Sequence, residues 1–167
     1  MRHDEVGKVL FNAIIRQKNP ELKYVHPSNE VWHSNDLEIW WDTVAKTTPP
    51  VKHNKPDLIV WDKNSKKCFI IDVCVPLDQN IQQNEKLRQD RYLALSVSLK
   101  RIYPPYEFTV VPIVLGATGL VTNSLVTNLT TLGFVEPREL RSLIQKLQMK
   151  ALVGSMRVMK SAMTLKS

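Results

Sequence analysis

The 167-residue chain has only two cysteines and no long hydrophobic run, and both deficits exclude classes of protein. Cys68 and Cys74 do not have zinc-site spacing, and a structural zinc site usually takes four ligands. Two thiols in one strand-like segment are typical of a reduced core, which predicts an intracellular protein. The longest apolar stretch, FTVVPIVLGA, is far too short to cross a bilayer, and no secretory leader follows Met1. We therefore expect no membrane segment.

Other common motifs are missing as well. The four histidines show neither metalloprotease nor zinc-finger spacing, so we expect them on the surface or in loops. The segment GATG at 116–119 does not have the dinucleotide-binding pattern and is typical of a strand-to-helix turn. The chain contains no repeat or low-complexity stretch, and its length predicts a single domain over residues 1–167. The histidines are His3, His26, His33 and His53.

Positive charge is what the sequence has in excess. The formal net charge is +7, from 23 Lys and Arg residues against 16 Asp and Glu residues. Between residues 138 and 167, seven basic residues stand against Glu139 alone, which gives this segment a charge of +6. A surplus of this size, concentrated at one end of the chain, favours a polyanion partner such as DNA.

Apolar periodicity and chain breakers predict an α/β fold with a mixed sheet of about four strands flanked by helices. The segment 107–117 is apolar throughout, which predicts a central strand. The basic C-terminal helix over 136–165 is either continuous or broken near Gly154. A stripe that starts with Arg88 and Tyr92 runs along the predicted middle helix. The predicted helices are 4–18, 82–103, 119–132 and 136–165, and the predicted strands are 37–45, 58–61, 69–75 and 107–117.

Two aspartates stand at the mouths of two apolar runs. Asp57 precedes LIVW, and Asp72 interrupts FIIDVCV. Asp57 follows Pro56 and is also explained as a turn residue, but a carboxylate inside a buried strand is costly unless something compensates it. If a bent hairpin brings the two acids together, they remain ionised only with a cation between them. Mg²⁺ takes oxygen ligands from one or two carboxylates and is such a cation.

The same residues belong to an ordered set of segments that covers nearly the whole chain. The segments are RHDEVGKVL, WWD, KPDLIV, FIIDVCVP, EKLRQDRYLAL, VVPIVLGATG and KALVGSMRVMK. This set resembles the restriction-like endonuclease domain, of the PD-(D/E)xK superfamily, that ends the polyproteins of site-specific non-LTR retrotransposons. The resemblance implies a restriction-endonuclease-like core and cleavage of one DNA strand, whose free 3′-hydroxyl primes reverse transcription. It also implies that DNA and the reverse transcriptase part of a parent polyprotein are partners, in the nucleus.

Residue by residue, the resemblance implies a metal-dependent catalytic site. Asp57 and Asp72 match the acids that bind Mg²⁺ or Mn²⁺. The position of the superfamily's usual lysine, two residues after the second acid, is occupied by Cys74. In the retrotransposon branch the cation comes from the following helix, where Arg88 and Lys86 are the candidates. Arg88 lies on the stripe expected to face the sheet, whereas Lys86 is about 160° away from it on an ideal helix.

Further contacts and rival functions follow from the same sequence. Asp4 and Glu5 either add a third acid to the site or only stabilise the N-terminus of the first helix. One rival function is a catalytically silent nuclease fold that binds DNA or a protein partner. Another is an oligomerising domain whose C-terminal helix packs on a partner. The expected contacts to the DNA backbone are Lys55, Arg91, Arg157 and Lys160.

Overall fold

The computed structural model describes residues 2–28 and 30–166 and shows an α/β fold with five strands and five α-helices in those residues. A 3-10 turn, Asp78–Asn80, precedes the second helix. The helices are α1 (Arg2–Lys18), α2 (Ile81–Arg91), α3 (Leu93–Ile102), α4 (Asn123–Thr131) and α5 (Pro137–Thr164), and the strands are β1 (Trp32–His33), β2 (Leu37–Trp41), β3 (Leu58–Asp62), β4 (Lys67–Cys74) and β5 (Glu107–Val114).

The strands form one mixed sheet in the order β1-β2-β3-β4-β5. β4 and β5 are parallel, and all other neighbours are antiparallel. A tight turn joins β3 to β4, and the Asp62 carboxylate stabilises it by accepting bonds from the N–H groups of Asn64 and Ser65 at 3.1 Å. The parallel pair requires a crossover, which α2 and α3 provide. The predicted α/β architecture is confirmed, with five strands rather than about four.

Helices cover both faces of the sheet. On one face, α1, α4 and α5 pack against alternate strand residues such as Val60 and Ile71. On the other face, the α2–α3 segment packs against Ile59 and Ile70. Because successive side chains of a strand point to opposite faces, Asp72 shares its face with Ile70. The sheet therefore presents Asp72 to the crossover helices.

The place of β5 in the sheet differs from the prediction. β5 is the last strand in the sheet order, whereas its apolar sequence predicted a central strand, and that prediction is wrong. Its side chains from Val110 to Val114 are buried because helices cover both of its faces, with Val110 in the cluster that includes α3 and Val111 in the cluster that includes α4. The short β1 at the other edge adds the fifth strand, in a segment predicted to be irregular.

One predicted helix is divided, and one predicted strand is shortened, at a single residue. The helix predicted over 82–103 is divided at Tyr92, whose backbone dihedral angles (φ −101°, ψ 7°) separate α2 from α3. The strand predicted over 37–45 ends at Trp41, because Asp42 adopts a positive φ of 47° that a strand does not accommodate.

The structure also gives the limits of the last two helices. α4 begins at Asn123 rather than at 119, because the Thr122 hydroxyl caps it by accepting a bond from the Leu125 N–H at 3.3 Å. α5 is continuous through Gly154. Among the described residues, no helix is both long and apolar enough to cross a membrane, α5 included.

Candidate active site

The pairing of β3 with β4 brings the two aspartates together. The last registered pair is Leu58 with Ile71, so the next positions along the antiparallel register are 57 and 72. The Asp57 carboxylate turns back onto β4, where its Oδ2 accepts a bond from the Val73 N–H at 2.7 Å. Asp72 is buried, and Asp57 is partly buried beside it. The hairpin expected from the sequence therefore places two carboxylates side by side at one end of the sheet.

The pKa of Asp57 is raised by its burial and by the neighbouring charge of Asp72. Burial raises the pKa of Asp57 to about 7, and the charge of Asp72 contributes in the same direction. The Val73 N–H and the Arg88 guanidinium oppose this rise in pKa without cancelling it. Without an added cation, the site therefore relieves part of its repulsion by holding a proton on Asp57 near neutral pH.

Arg88 is the group that compensates the buried carboxylate of Asp72. Its Nη1 donates a hydrogen bond to Asp72 Oδ2, and its Nη2 donates to Cys74 Sγ at 3.3 Å. Burial alone would lower the pKa of Arg88, but the bond to Asp72 raises it above its ordinary value, so the guanidinium stays charged. Lys86 is exposed on the same helix and forms no ion pair with a carboxylate in the described ranges. Helix geometry thus directs Arg88, and not Lys86, into the site.

Cys74 lies on β4 two residues after Asp72. Its thiol accepts from Arg88 and lies 3.5 Å from Asn84 Oδ1, to which it can donate. Asn84 is itself held on α2 by a bond from its side-chain amide to the Asn80 carbonyl at 2.9 Å. The guanidinium from α2 therefore supplies the positive charge beside Asp72 and Cys74.

Tyr92 also belongs to the site, although the sequence predicted only that it lies on the same helix stripe as Arg88. Its buried hydroxyl lies 3.4 Å from Asp72 Oδ1 and 3.3 Å from the Lys55 carbonyl oxygen, so it can donate its proton to either acceptor. Burial raises the pKa of Tyr92 to about 12, and the charges of Asp72 and Asp57 add to this effect. The hydroxyl therefore remains protonated and links the segment before β3 to the middle of β4.

The site opens into a cavity of about 390 Å³. His3 lines this cavity from α1 and remains partly exposed, in agreement with an expected position on the surface, and the other three histidines are exposed as predicted. The sequence could not predict this position, because His3 belongs to no spaced motif and reaches the cavity only through the packing of α1 against the sheet. The cavity is lined by His3, Asp57, Asp72, Val73, Cys74, Val75, Arg88 and Val158.

A neighbouring cavity of about 420 Å³ distinguishes between the two candidate acids of α1. Asp4 lines that cavity together with Asp57 and Asp42. Glu5 instead pairs with Lys8 at 3.0 Å, and that hydrogen bond lowers the pKa of Glu5. Of the two acids, Asp4 is the one that faces towards the paired aspartates.

The four expected DNA contacts lie in different environments, and none of them lines the cavity that holds Asp57 and Asp72. The Lys55 ammonium is exposed and lies 3.3 Å from an Asp42 carboxylate oxygen. Arg91 ends α2 and is close enough to Tyr92 to oppose the rise in its pKa. Arg157 and Lys160 are exposed on α5. Arg157 precedes Val158, which lines the cavity, whereas Lys160 lies about 160° from Val158 on an ideal helix. Of the two, Arg157 therefore lies closer to the direction of the site.

The donor set decides which metal would fit. In residues 2–28 and 30–166, no group of three or more His, Cys, Asp or Glu side chains is arranged to hold a metal ion. Two adjacent carboxylates at an open cavity do not match a closed zinc site with four protein ligands. They do fit Mg²⁺, which binds one or two carboxylates and keeps several waters for a phosphate-bearing substrate. The repulsion between Asp57 and Asp72 is what a divalent ion would relieve.

Asp57→Asn should remove a pH dependence from the stability of the metal-free protein. The pKa of Asp57 is about 7 in the folded chain against an ordinary value of 3.8, so folding takes up a proton between these pH values. The free energy of unfolding of the wild type therefore falls as the pH rises through this window, by at most about 4 kcal/mol. Urea denaturation in EDTA at about pH 5 and about pH 8 measures this loss.

The matched control for this measurement is Asp90→Asn, which changes an exposed carboxylate on α2. The control should keep the wild-type pH dependence, whereas Asp57→Asn should be more stable than wild type at the higher pH. Equal pH dependence in the wild type and Asp57→Asn would contradict the raised pKa of Asp57.

No protein-family model matches the chain, and no curated protein matches it significantly.

Proposed function

We propose that this chain is a Mg²⁺-dependent endonuclease that hydrolyses phosphodiester bonds in DNA. The observation that carries the proposal is the pair of adjacent carboxylates, Asp57 and Asp72, which line one cavity together with the Arg88 guanidinium. The resemblance of the ordered sequence segments to the restriction-like endonuclease domain of non-LTR retrotransposons supports the same chemistry. Conversion of supercoiled plasmid into nicked circles in the presence of Mg²⁺ tests it.

In this proposal, Asp57 and Asp72 hold the metal. Mg²⁺ bound there would polarise the phosphate and lower the pKa of a bound water. The hydrolysis consumes one water: its oxygen forms a new bond to phosphorus, and the bond from phosphorus to the 3′-oxygen breaks. One proton of that water ends on the departing 3′-oxygen, and the other is released at neutral pH. The products are a 3′-hydroxyl and a 5′-phosphate, as required for primed reverse transcription in the family that the sequence resembles.

The proposed mechanism also involves side chains that surround the two aspartates. Arg88 pairs with the Asp72 carboxylate and would offset the negative charge that develops on the phosphate, and it cannot act as the base because a guanidinium does not accept a proton. Tyr92 holds Asp72 and the backbone of Lys55 together through one protonated hydroxyl, which fixes the relative position of the two acid-bearing segments. Cys74 cannot take over the role of a lysine, because a thiol carries no positive charge.

DNA is proposed to bind beside this cavity, with Lys55, Arg91, Arg157 and Lys160 as contacts to the phosphate backbone. Such contacts position a nucleic acid without selecting a sequence. In this proposal, target selection belongs to other parts of a parent polyprotein, in which this domain would act beside a reverse transcriptase in the nucleus. The sequence resemblance and the positive charge of residues 138–167 support the proposal.

A second candidate function is a silent nuclease fold that binds DNA or a protein without cutting. One observation favours it: Arg88 contacts the Asp72 oxygen that a metal would use, and Cys74 replaces the strand lysine. The two functions differ in a single result. The silent fold binds DNA but leaves plasmid intact with Mg²⁺ and with Mn²⁺, whereas the endonuclease cuts it.

Replacing Arg157 and Lys160 together with glutamine should flatten the salt dependence of DNA binding. Each phosphate contact that is lost lowers the slope of log affinity against log salt by about 0.9, because fewer condensed counterions are released on binding. We therefore expect the slope to fall by up to about 2. Anisotropy of a fluorescent duplex, titrated with protein between about 50 and 200 mM salt, gives this slope.

The matched control is the double variant Lys66→Gln/Lys67→Gln, which removes two exposed charges at the other end of β4. Its slope should equal that of the wild type. If both double variants lower the slope equally, DNA binding depends on the net charge of the chain and not on the positions of Arg157 and Lys160.

A further inference from the structure

The connection between β2 and β3 carries three lysines and no acid between its two ends. We call residues 43–56 the basic arm, and its lysines are Lys46, Lys52 and Lys55. All three lysines are exposed. A connection of this length without secondary structure is uncommon in a compact domain, and ordered examples usually have a function. The position of the basic arm relative to the two aspartates indicates what that function is.

Two backbone hydrogen bonds hold the base of the basic arm. The Asp42 N–H donates to the Asp57 carbonyl at 2.9 Å, and the Ala45 N–H donates to the Asn54 carbonyl at 2.7 Å. Both bonds keep the antiparallel register of β2 with β3, so the arm continues this pair of strands past the end of the sheet. Asp57 directly precedes β3 at that same end. The basic arm therefore begins at the candidate active site.

Packing contacts fix the basic arm against the rest of the domain. Ala45 is fully buried in the cluster that includes α3, and Val51 packs against the same cluster. The Tyr92 hydroxyl lies 3.3 Å from the carbonyl oxygen of Lys55 and so links the arm to the junction of α2 with α3. The basic arm is therefore an ordered surface that holds its lysines in place.

The two lysines nearer the tip of the arm lack a partner of opposite charge. Lys55 lies 3.3 Å from an Asp42 carboxylate oxygen. Among the residues that the structure describes, neither Lys46 nor Lys52 forms an ion pair. The register of the arm places Lys46 opposite position 53, which adjoins Lys52, so the two ammonium groups belong to neighbouring positions. Two exposed positive charges with no acid between them favour an anionic partner.

The spacing of these charges from Asp57 suits the phosphate backbone of DNA. Lys52 stands five residues before Asp57, which limits the distance between their Cα atoms to about 18 Å. A DNA duplex carries one negative charge per about 1.7 Å of its axis. A duplex with one phosphate at Asp57 therefore has other phosphates within reach of the basic arm.

An acidic protein is a less suitable partner for the same lysines. Protein interfaces usually depend on a buried tryptophan, tyrosine or arginine near their centre. The basic arm contains none of these three residue types. Phosphate contacts, in contrast, need only exposed donors such as lysine side chains. The composition of the arm thus favours a nucleic acid.

We propose that the basic arm binds the phosphate backbone of duplex DNA next to the candidate active site, with Lys46 and Lys52 each contacting a phosphate. The inference rests on the proposed function, which identifies DNA as the polyanion. The two lysines add to the contacts expected from Lys55, which the arm also carries. Such contacts hold a duplex against the site without reading its sequence.

The test measures binding of a fluorescent duplex by anisotropy in EDTA, where metal-dependent cleavage does not take place. Lys46→Gln/Lys52→Gln should lower the slope of log affinity against log salt by about 1 to 2, since each lost phosphate contact accounts for about 0.9. The fall should be the same for two duplexes of unrelated sequence. Lys46→Arg/Lys52→Arg should keep the wild-type slope, because it keeps both charges. Both lysines are exposed, so each variant should keep the wild-type melting temperature by circular dichroism.

The matched control is Lys66→Gln/Lys67→Gln, which removes two exposed lysines at the other end of β4 and should keep the wild-type slope. The proposal is overturned if Lys46→Gln/Lys52→Gln keeps the wild-type slope, or if the control lowers the slope by as much. It is also overturned if Lys46→Gln/Lys52→Gln loses affinity for poly-glutamate but not for the duplex, because the partner would then be an acidic protein.

Failure of the proposed function gives a different result. If the wild type leaves plasmid intact in Mg²⁺ but the slope falls in Lys46→Gln/Lys52→Gln, the chain binds DNA through the basic arm without cutting it. If the wild type cuts, this variant should cut more slowly at limiting protein and at the wild-type rate at saturating protein. A slower rate at saturating protein would assign the two lysines to the chemistry and overturn their role in binding.

Discussion

Asp57→Asn and Asp72→Asn should each reduce cleavage of plasmid DNA by at least about 10³-fold, because each removes a ligand of the metal along with a charge. Asparagine keeps the size of aspartate, and its carbonyl can still accept the bonds from the Val73 N–H or from Arg88. Affinity for a DNA duplex should stay within about threefold of wild type, since neither aspartate supplies a positive charge that contacts the phosphate backbone. Single-turnover rates at saturating protein separate the loss of chemistry from any loss of binding.

Asp90→Asn serves as the matched control for these variants, because it neutralises an exposed carboxylate on the helix that carries Arg88. The control should cleave at the wild-type rate. If Asp57→Asn or Asp72→Asn cleaves as fast as this control, the two carboxylates do not form the catalytic site. A matching drop in DNA affinity would instead indicate that the substitution alters the binding surface.

Arg88→Ala should lower the single-turnover cleavage rate by about 10²- to 10³-fold, the loss typical of removing one electrostatic stabiliser. The guanidinium donates to Asp72 and to Cys74, so its loss also leaves a buried carboxylate without its cation. We expect a destabilisation of about 3 kcal/mol for that reason. Rates are therefore compared at a temperature at which circular dichroism shows every variant folded. Arg88→Lys should recover part of the rate, because it returns the positive charge without the two-pronged contact.

Lys86→Ala is the matched control, since Lys86 is exposed two residues away on the same helix. Its cleavage rate should remain near wild type, with at most a weaker affinity for DNA. The opposite pattern, with Lys86→Ala inactive and Arg88→Ala active, would show that the cation reaches the phosphate from the outer side of α2. If neither substitution matters while the aspartates do, the cation comes from another element.

Local chemistry in the sequence was sufficient to predict the hairpin that carries the site. Asp57 and Asp72 flank or interrupt apolar runs, and the turn between the runs is short and polar, so antiparallel pairing followed directly. The helical phase placed Arg88 towards the sheet, and it contacts Asp72 there. Both results depend on periodicities of two and 3.6 residues that each segment contains within itself.

Features that depend on tertiary packing did not follow from the sequence. The apolar sequence of β5 shows that both faces are covered, but it does not show whether strands pair on both sides. The break at Tyr92 does not arise from a proline or glycine, and the buried hydroxyl contacts explain it only once Asp72 and Lys55 are in place. His3 reaches the cavity because α1 packs beside the sheet, and no spacing in the chain encodes that approach.

The most direct test of the central claim is plasmid cleavage by the wild-type chain with each divalent ion in turn. Supercoiled plasmid is incubated with protein in Mg²⁺, in Mn²⁺ and in excess EDTA, and the nicked and linear products are measured over time. The proposed site, with a metal held by Asp57 and Asp72, predicts cleavage in Mg²⁺ and in Mn²⁺ and none in EDTA. Cleavage that persists in EDTA, or intact plasmid in both metals when binding is demonstrated, would contradict it.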